Sequence, residues 1–102
     1  VIEDCAEAHF AINDDNLLVG SSFDASCFSF YANKIIAAGE GGLVLFKSSH
    51  DADAARSYKN LSFGTDSDIS KFYHSRIGFN YRMTNLSAAL VNQCLDKIMF
   101  SV

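Results

Sequence analysis

Lys34 stands between an aromatic-rich run, CFSFYAN at 27–33, and a glycine turn, GEGG at 39–42. A lysine amine can bond covalently to an aldehyde, a carboxylate can hold a ring nitrogen protonated, and hydroxyls with glycine amides can bind a phosphate. The chain carries all three: Lys34, Asp4 at the end of an apolar run, and Ser29 with the glycine turn. Together these types point to a site for a carbonyl cofactor. Singly each says little, because a lone lysine is usually a solvated charge and a lone serine usually bonds locally. GEGG is followed by no G-K-[ST] and does not complete G-x-G-x-x-G, so neither nucleotide-binding fingerprint is present. His9, His50 and His74 lack metal-ligand spacing and there is no G-x-S-x-G, so neither a metal site nor a serine hydrolase is expected. Cys5, Cys27 and Cys94 are widely spaced with no C-x-x-C pair, and read as small buried apolar groups.

The elements that must position these residues follow from periodicity. VIED reads as a short strand ending in an acid, placing Asp4 where α/β sheets project side chains into a ligand crevice. AHFAI, NDDN and LLVG suggest a hairpin about an Asn/Asp turn. SCFSFYA alternates as a strand, so Ser29 faces away from Phe28 and Phe30, and LVLF after the glycine turn reads as a buried strand. Ser48 or Ser49 caps a helix over HDADAARSYKNL, whose early Asp51 and Asp53 suit the positive end of the helix dipole. Residues 61–80 read mostly as loop. Thr84 caps a last helix, on which Leu86, Leu90, Cys94 and Ile98 form an apolar stripe expected to face the core.

With 102 residues, 49% hydrophobic and 20% charged, the chain has the size and composition of one small packed domain. A net charge of -4 and the absence of any basic run argue against nucleic acid and anionic membrane as partners. No apolar run approaches the roughly 20 residues that span a bilayer, and VIEDCAEAHF has acids where a signal peptide is basic; the reading is cytoplasmic. VIEDCA begins mid-strand and DKIMFSV stops just after a helical pattern, so both ends read as cuts or as a shortened reading frame.

Three motifs in order, VIEDCAEA at 1–8, FSFYANKIIAAGEGGLVLF at 28–46 and IGFNYRMTNLSAAL at 77–90, with ARSYKNLSFG between the last two, resemble the DegT/DnrJ/EryC1/StrS family of pyridoxal-phosphate sugar aminotransferases. The resemblance covers nearly the whole chain. It implies an α/β fold, with 1–102 as part of the large cofactor-binding domain of the aspartate-aminotransferase fold type: a mixed, mostly parallel sheet with flanking helices. The upstream phosphate-cradling segment and the C-terminal small domain of that fold are absent from these residues. Lys34 would carry pyridoxal 5′-phosphate covalently and move the proton as a free amine, and Asp4 would pair with the ring nitrogen. Ser29 would donate to the phosphate and Glu7 would lie near the ring and its phenolic oxygen. Asn80 would reach the cofactor phosphate of the neighbouring subunit, which implies a homodimer; Tyr81 and Arg82 beside it could touch substrate or phosphate. The implied reaction moves an amino group from glutamate to a keto group of a nucleotide-linked deoxysugar, in surface polysaccharide or antibiotic sugar biosynthesis. A lysine at 34, where related dehydratases have histidine, favours transamination. The alternative is a truncated, inactive remnant or interaction module of the same family. The family usually has glycine at the positions of Phe10 and Phe23, threonine at Ala37 and Ala38, and Pro-Glu at Ser75-Arg76.

Overall fold

The structure, a computed structural model, describes residues 1–63, 72–74 and 76–100. The chain divides into two compact units, Val1–Lys47 with Met83–Val102, and Ser48–Arg82. The first holds a mixed α/β sheet in the order β1 (Ile2–Asp4), β2 (Ala25–Ser29), β3 (Gly42–Phe46). β1 runs parallel to β2 with Asp4 beside Cys27, and β3 runs antiparallel to β2 with Gly42 beside Ser29. Residues side by side across a ladder share a face and successive residues switch faces. One face therefore carries Glu3, Ser26, Phe28, Leu43 and Leu45, and the other Asp4, Cys27, Ser29 and Val44.

The connection from β1 to β2 is fastened at its start, where the Cys5 amide donates to the Cys27 carbonyl at 2.8 Å. The expected hairpin contracts to one bridge between Ile12 and Leu18, closed by the Val19 amide on the Ala11 carbonyl at 2.9 Å. The Asn13 carboxamide explains this, since its Oδ1 accepts from the amides of Asp15 and Leu17 and so satisfies the turn without a ladder.

Between β2 and β3 the chain makes a loop pinned at its base. The Phe30 amide donates to the Gly41 carbonyl at 2.9 Å, and the Phe30 carbonyl accepts from the Ala38 amide at 2.8 Å. Gly41 sits at φ 127°, a conformation that only glycine adopts without strain. Phe30, Ile36 and Ala38 are buried together, and α2 (Asn85–Met99) covers them with Val91, Cys94, Leu95 and Ile98. Thr84 caps α2 as expected, accepting from the Ser87 amide at 3.1 Å.

Two expectations of burial are corrected. Leu86 and Leu90 point away from the core, 75% and 46% exposed. An i+4 step overshoots a full helical turn by about 40°, so a row of such steps winds off the buried face. The covering residues instead fall at i, i+3, i+4 and i+7. LVLF forms β3, but Leu43, Val44 and Leu45 remain 43% to 45% exposed. On the face of Leu43 and Leu45, α2 packs on the loop rather than flush on the strands, leaving an apolar hollow of ≈ 480 Å³ lined by Phe28, Leu43, Leu45, Val91 and Leu95, while Val44 stands on the opposite face.

In the second unit Ser48, not Ser49, caps α1 (Ser49–Lys59), accepting from the Asp51 amide at 3.3 Å. Residues 79–81 lie along the end of α1: the Phe79 amide donates to the Tyr58 carbonyl at 2.7 Å and the Tyr81 amide to the Lys59 carbonyl at 3.1 Å. Leu61 and Ser62 both take positive φ, 62° and 51°. A Cβ at Gly78 would lie 2.2 Å from the Leu61 carbonyl carbon, so only glycine permits this approach. The described part of 61–80 holds no α-helix and no strand longer than a single bridge, as expected for a segment that is mostly loop. Gly64 and Ser75 lie outside the described residues.

Of the two phenylalanines standing at glycine positions of the family pattern, Phe10 takes φ 61°, whereas Phe23 is not among the described residues with positive φ. A bulky residue at positive φ sets its Cβ against backbone, at a cost of about 1–2 kcal/mol. Phe10→Gly relieves that strain but gives up a half-covered ring lining the hollow and adds the entropy glycine loses on folding, so stability is expected to change by less than about 1 kcal/mol, measured as the shift of the urea unfolding midpoint at constant slope.

Candidate functional site

Asp4 and Ser29 end two neighbouring parallel strands, so both side chains stand on one face at one edge of the sheet. That is the carboxyl edge, where open α/β sheets bind ligands. Asp4 Oδ1 accepts from the Ala6 amide at 3.0 Å, which steadies the carboxylate and leaves Oδ2 for another donor. Ser29 Oγ accepts from the Tyr31 amide at 3.2 Å, using a lone pair and keeping the hydroxyl hydrogen for an acceptor such as a phosphate oxygen. The hollow is lined by Phe28 and Phe30 but not by Ser29, in keeping with alternation along β2.

Lys34 lies on the loop pinned at Phe30, its amide donating to the Tyr31 carbonyl at 3.0 Å. Its side chain is only 9% exposed, and Nζ forms an ion pair with Glu7 Oε1. Glu7 follows Asp4 by three residues in the loop that leaves β1, so the lysine amine reaches the loop leaving the neighbouring strand. Reasoning from the sequence missed this pair. Its signal is that residues shortly beyond the ends of adjacent parallel strands meet, which requires knowing that β1 and β2 pair. Asp4, Glu7, Ser29 and Lys34 thus share one unit, while Asn80 belongs to the other, where its backbone bridges Asn60. Tyr81 stacks on Phe79 with ring centroids 5.0 Å apart.

His9 is 9% exposed and packed by Phe28 and Phe30, with ring centroids 5.5 Å and 6.0 Å away. Its Nε2 has no hydrogen-bond partner among the described residues. Cys5 is fully buried; burial, helped by the nearby Glu3 and Asp4 carboxylates, raises its thiol above the ordinary 9.0. Cys27 and Cys94 are free and half-buried. Among the described residues no group of three or more His, Cys, Asp or Glu could hold a metal ion, and no helix is long and apolar enough to cross a membrane.

A strand-end carboxylate, a hydroxyl on the same edge and a sheltered lysine amine on a pinned loop form the kind of donor set that a carbonyl cofactor requires. The model of the DegT/DnrJ/EryC1/StrS aminotransferase family matches residues 1–102, and the chain belongs to that family. It is similar to the GDP-perosamine synthase of Escherichia coli O157:H7, 41% identical over 90 residues that make up 88% of this chain and 24% of the relative. It is similar also to the GDP-perosamine synthase of Vibrio cholerae, 39% identical over 99 residues, 96% of this chain and 26% of the relative. Among solved structures, an aminotransferase from Psychrobacter cryohalolentis matches with a TM-score of 0.81 and 30% identity, over 95% of this chain and 26% of that one. The chain therefore spans about a quarter of the length of the curated relatives it matches.

The Cys5 environment generates a prediction of its own. A thiol whose folded value is raised contributes stability fully below its unfolded value and loses it as pH climbs through the folded value. Cys5 is expected to resist iodoacetamide at neutral pH while Cys27 and Cys94 are labelled, and the native chain to lose stability above about pH 9. Peptide mass mapping and unfolding midpoints across that range check both.

Proposed function

We propose that the chain supplies the lysine-bearing part of a pyridoxal 5′-phosphate site in an aminotransferase acting on a nucleotide-linked deoxysugar. The observation that carries this reading is the meeting of Lys34 with the β1 loop, beside the edge that Asp4 and Ser29 share. The donor set fits the cofactor. Asp4 has an oxygen left for a protonated ring nitrogen, Ser29 a hydroxyl hydrogen for the phosphate, and Lys34 a sheltered amine. When bound, the cofactor supplies an electron sink for the charge left as a proton departs from the substrate carbon.

The chain's own residues do the rest. Lys34 anchors the cofactor and, once free, takes and returns the proton through Nζ. Asp4 keeps the ring nitrogen protonated by ionic hydrogen bonding. Glu7 would help to hold the ring end of the cofactor, and Asn80 would donate to the phosphate held by the partner of a homodimer. Glutamate is the amino donor and a keto sugar the acceptor; the relatives named for a GDP-linked sugar support that substrate class. Residues 1–102 correspond to part of the large domain, with the phosphate-cradling segment and the small domain of the fold outside them.

A second reading, an inactive remnant or interaction module, is favoured by the half-exposed apolar residues of β3. Incubating the purified chain with pyridoxal phosphate and then borohydride separates the two. The first reading expects a visible absorption band and a cofactor mass fixed on the Lys34 peptide, both abolished by Lys34→Ala. It expects Asp4→Asn to hold the cofactor roughly tenfold more weakly. Label that persists in Lys34→Ala would contradict the role given to Lys34, and no label in the wild type would favour the remnant.

A further inference from the structure

We propose that Glu7 is a latch on Lys34: its carboxylate holds the ammonium in the empty site and must release it before the amine can attack a carbonyl. Lys34 is 9% exposed, and an ammonium so sheltered requires an ionic partner. Glu7 provides it from a different loop, and at 78% exposure the carboxylate is free to swing into solvent once its partner is taken. Asp4 on the same edge already receives the Ala6 amide. Attack on a carbonyl needs the nitrogen lone pair, so the ammonium must leave Glu7 and give a proton to water before it can react. Glu7 acts here through Lys34, as a positioning residue. The proposal rests on Lys34 being the cofactor-bearing lysine, and it gives Glu7 a task before the cofactor arrives.

Reductive methylation tests the latch without cofactor. The lysine nitrogen adds to the carbon of formaldehyde, water leaves, and cyanoborohydride delivers hydride to the C=N carbon, giving an N-methyl group that peptide mass spectrometry counts. With Lys47 and Lys59 as internal references, Glu7→Gln should raise the relative rate at Lys34 by about two- to fivefold, the range for one partly exposed ion pair. Glu7→Asp, which keeps the charge on a shorter arm, should fall between. In the wild type, added salt should raise the Lys34 rate relative to the references, a check that needs no variant. Equal Lys34 rates in wild type and Glu7→Gln, together with indifference to salt, would overturn the latch and leave burial alone as the reason for slow reaction. Faster methylation in Glu7→Gln with no pyridoxal phosphate fixed on Lys34 would support the latch while counting against the cofactor role.

Discussion

The backbone of Phe30 is the point on which the candidate site depends. Its amide and carbonyl bind Gly41 and Ala38, closing the loop that carries Lys34 where β2 ends, and its ring is buried under α2. One residue thereby couples the sheet edge, the lysine loop and the helix. Each backbone bond is worth only about 1 kcal/mol net, but leaving either group unpaired beside that core would cost more. The exposed half of the loop is free to serve chemistry because its base is not free to move.

Parallel pairing does the remaining positioning. When adjacent strands run the same way, their carboxyl ends open onto a common crevice, so residues far apart in sequence are brought together by backbone pairing. Asp4 and Ser29 are set by register with Cys27, and Glu7 and Lys34 by the short segments that follow. The antiparallel β3 then returns the chain through the glycine turn and fixes the far end of the loop.

What could be read from the sequence was what local chemistry decides. Thr84 as a cap, the acid ending β1 and the outward Ser29 depend on a few neighbouring residues, and Ser48 against Ser49 was narrowed to one position. The misses share a different cause. Which apolar residues of α2 face inward depends on how the helix is set against Phe30, and the exposure of Leu43 to Leu45 depends on what covers the sheet. The hairpin gave way because Asn13 satisfied turn amides that a ladder would otherwise have used. The pairing of Glu7 with Lys34 required the strand order, and no local pattern reports strand order.

The hollow beneath α2 also bears on how the molecule behaves in bulk. A strand apolar on both faces belongs in a sheet covered on both sides. Here Leu43 and Leu45 meet water beside a cavity whose one buried histidine nitrogen is unanswered among the described residues, and Val44 meets water on the opposite face. Such a surface is wetted at a cost, and the cost falls when two copies share it. Added salt screens the net charge of -4 on these residues but leaves the apolar attraction of such a face intact.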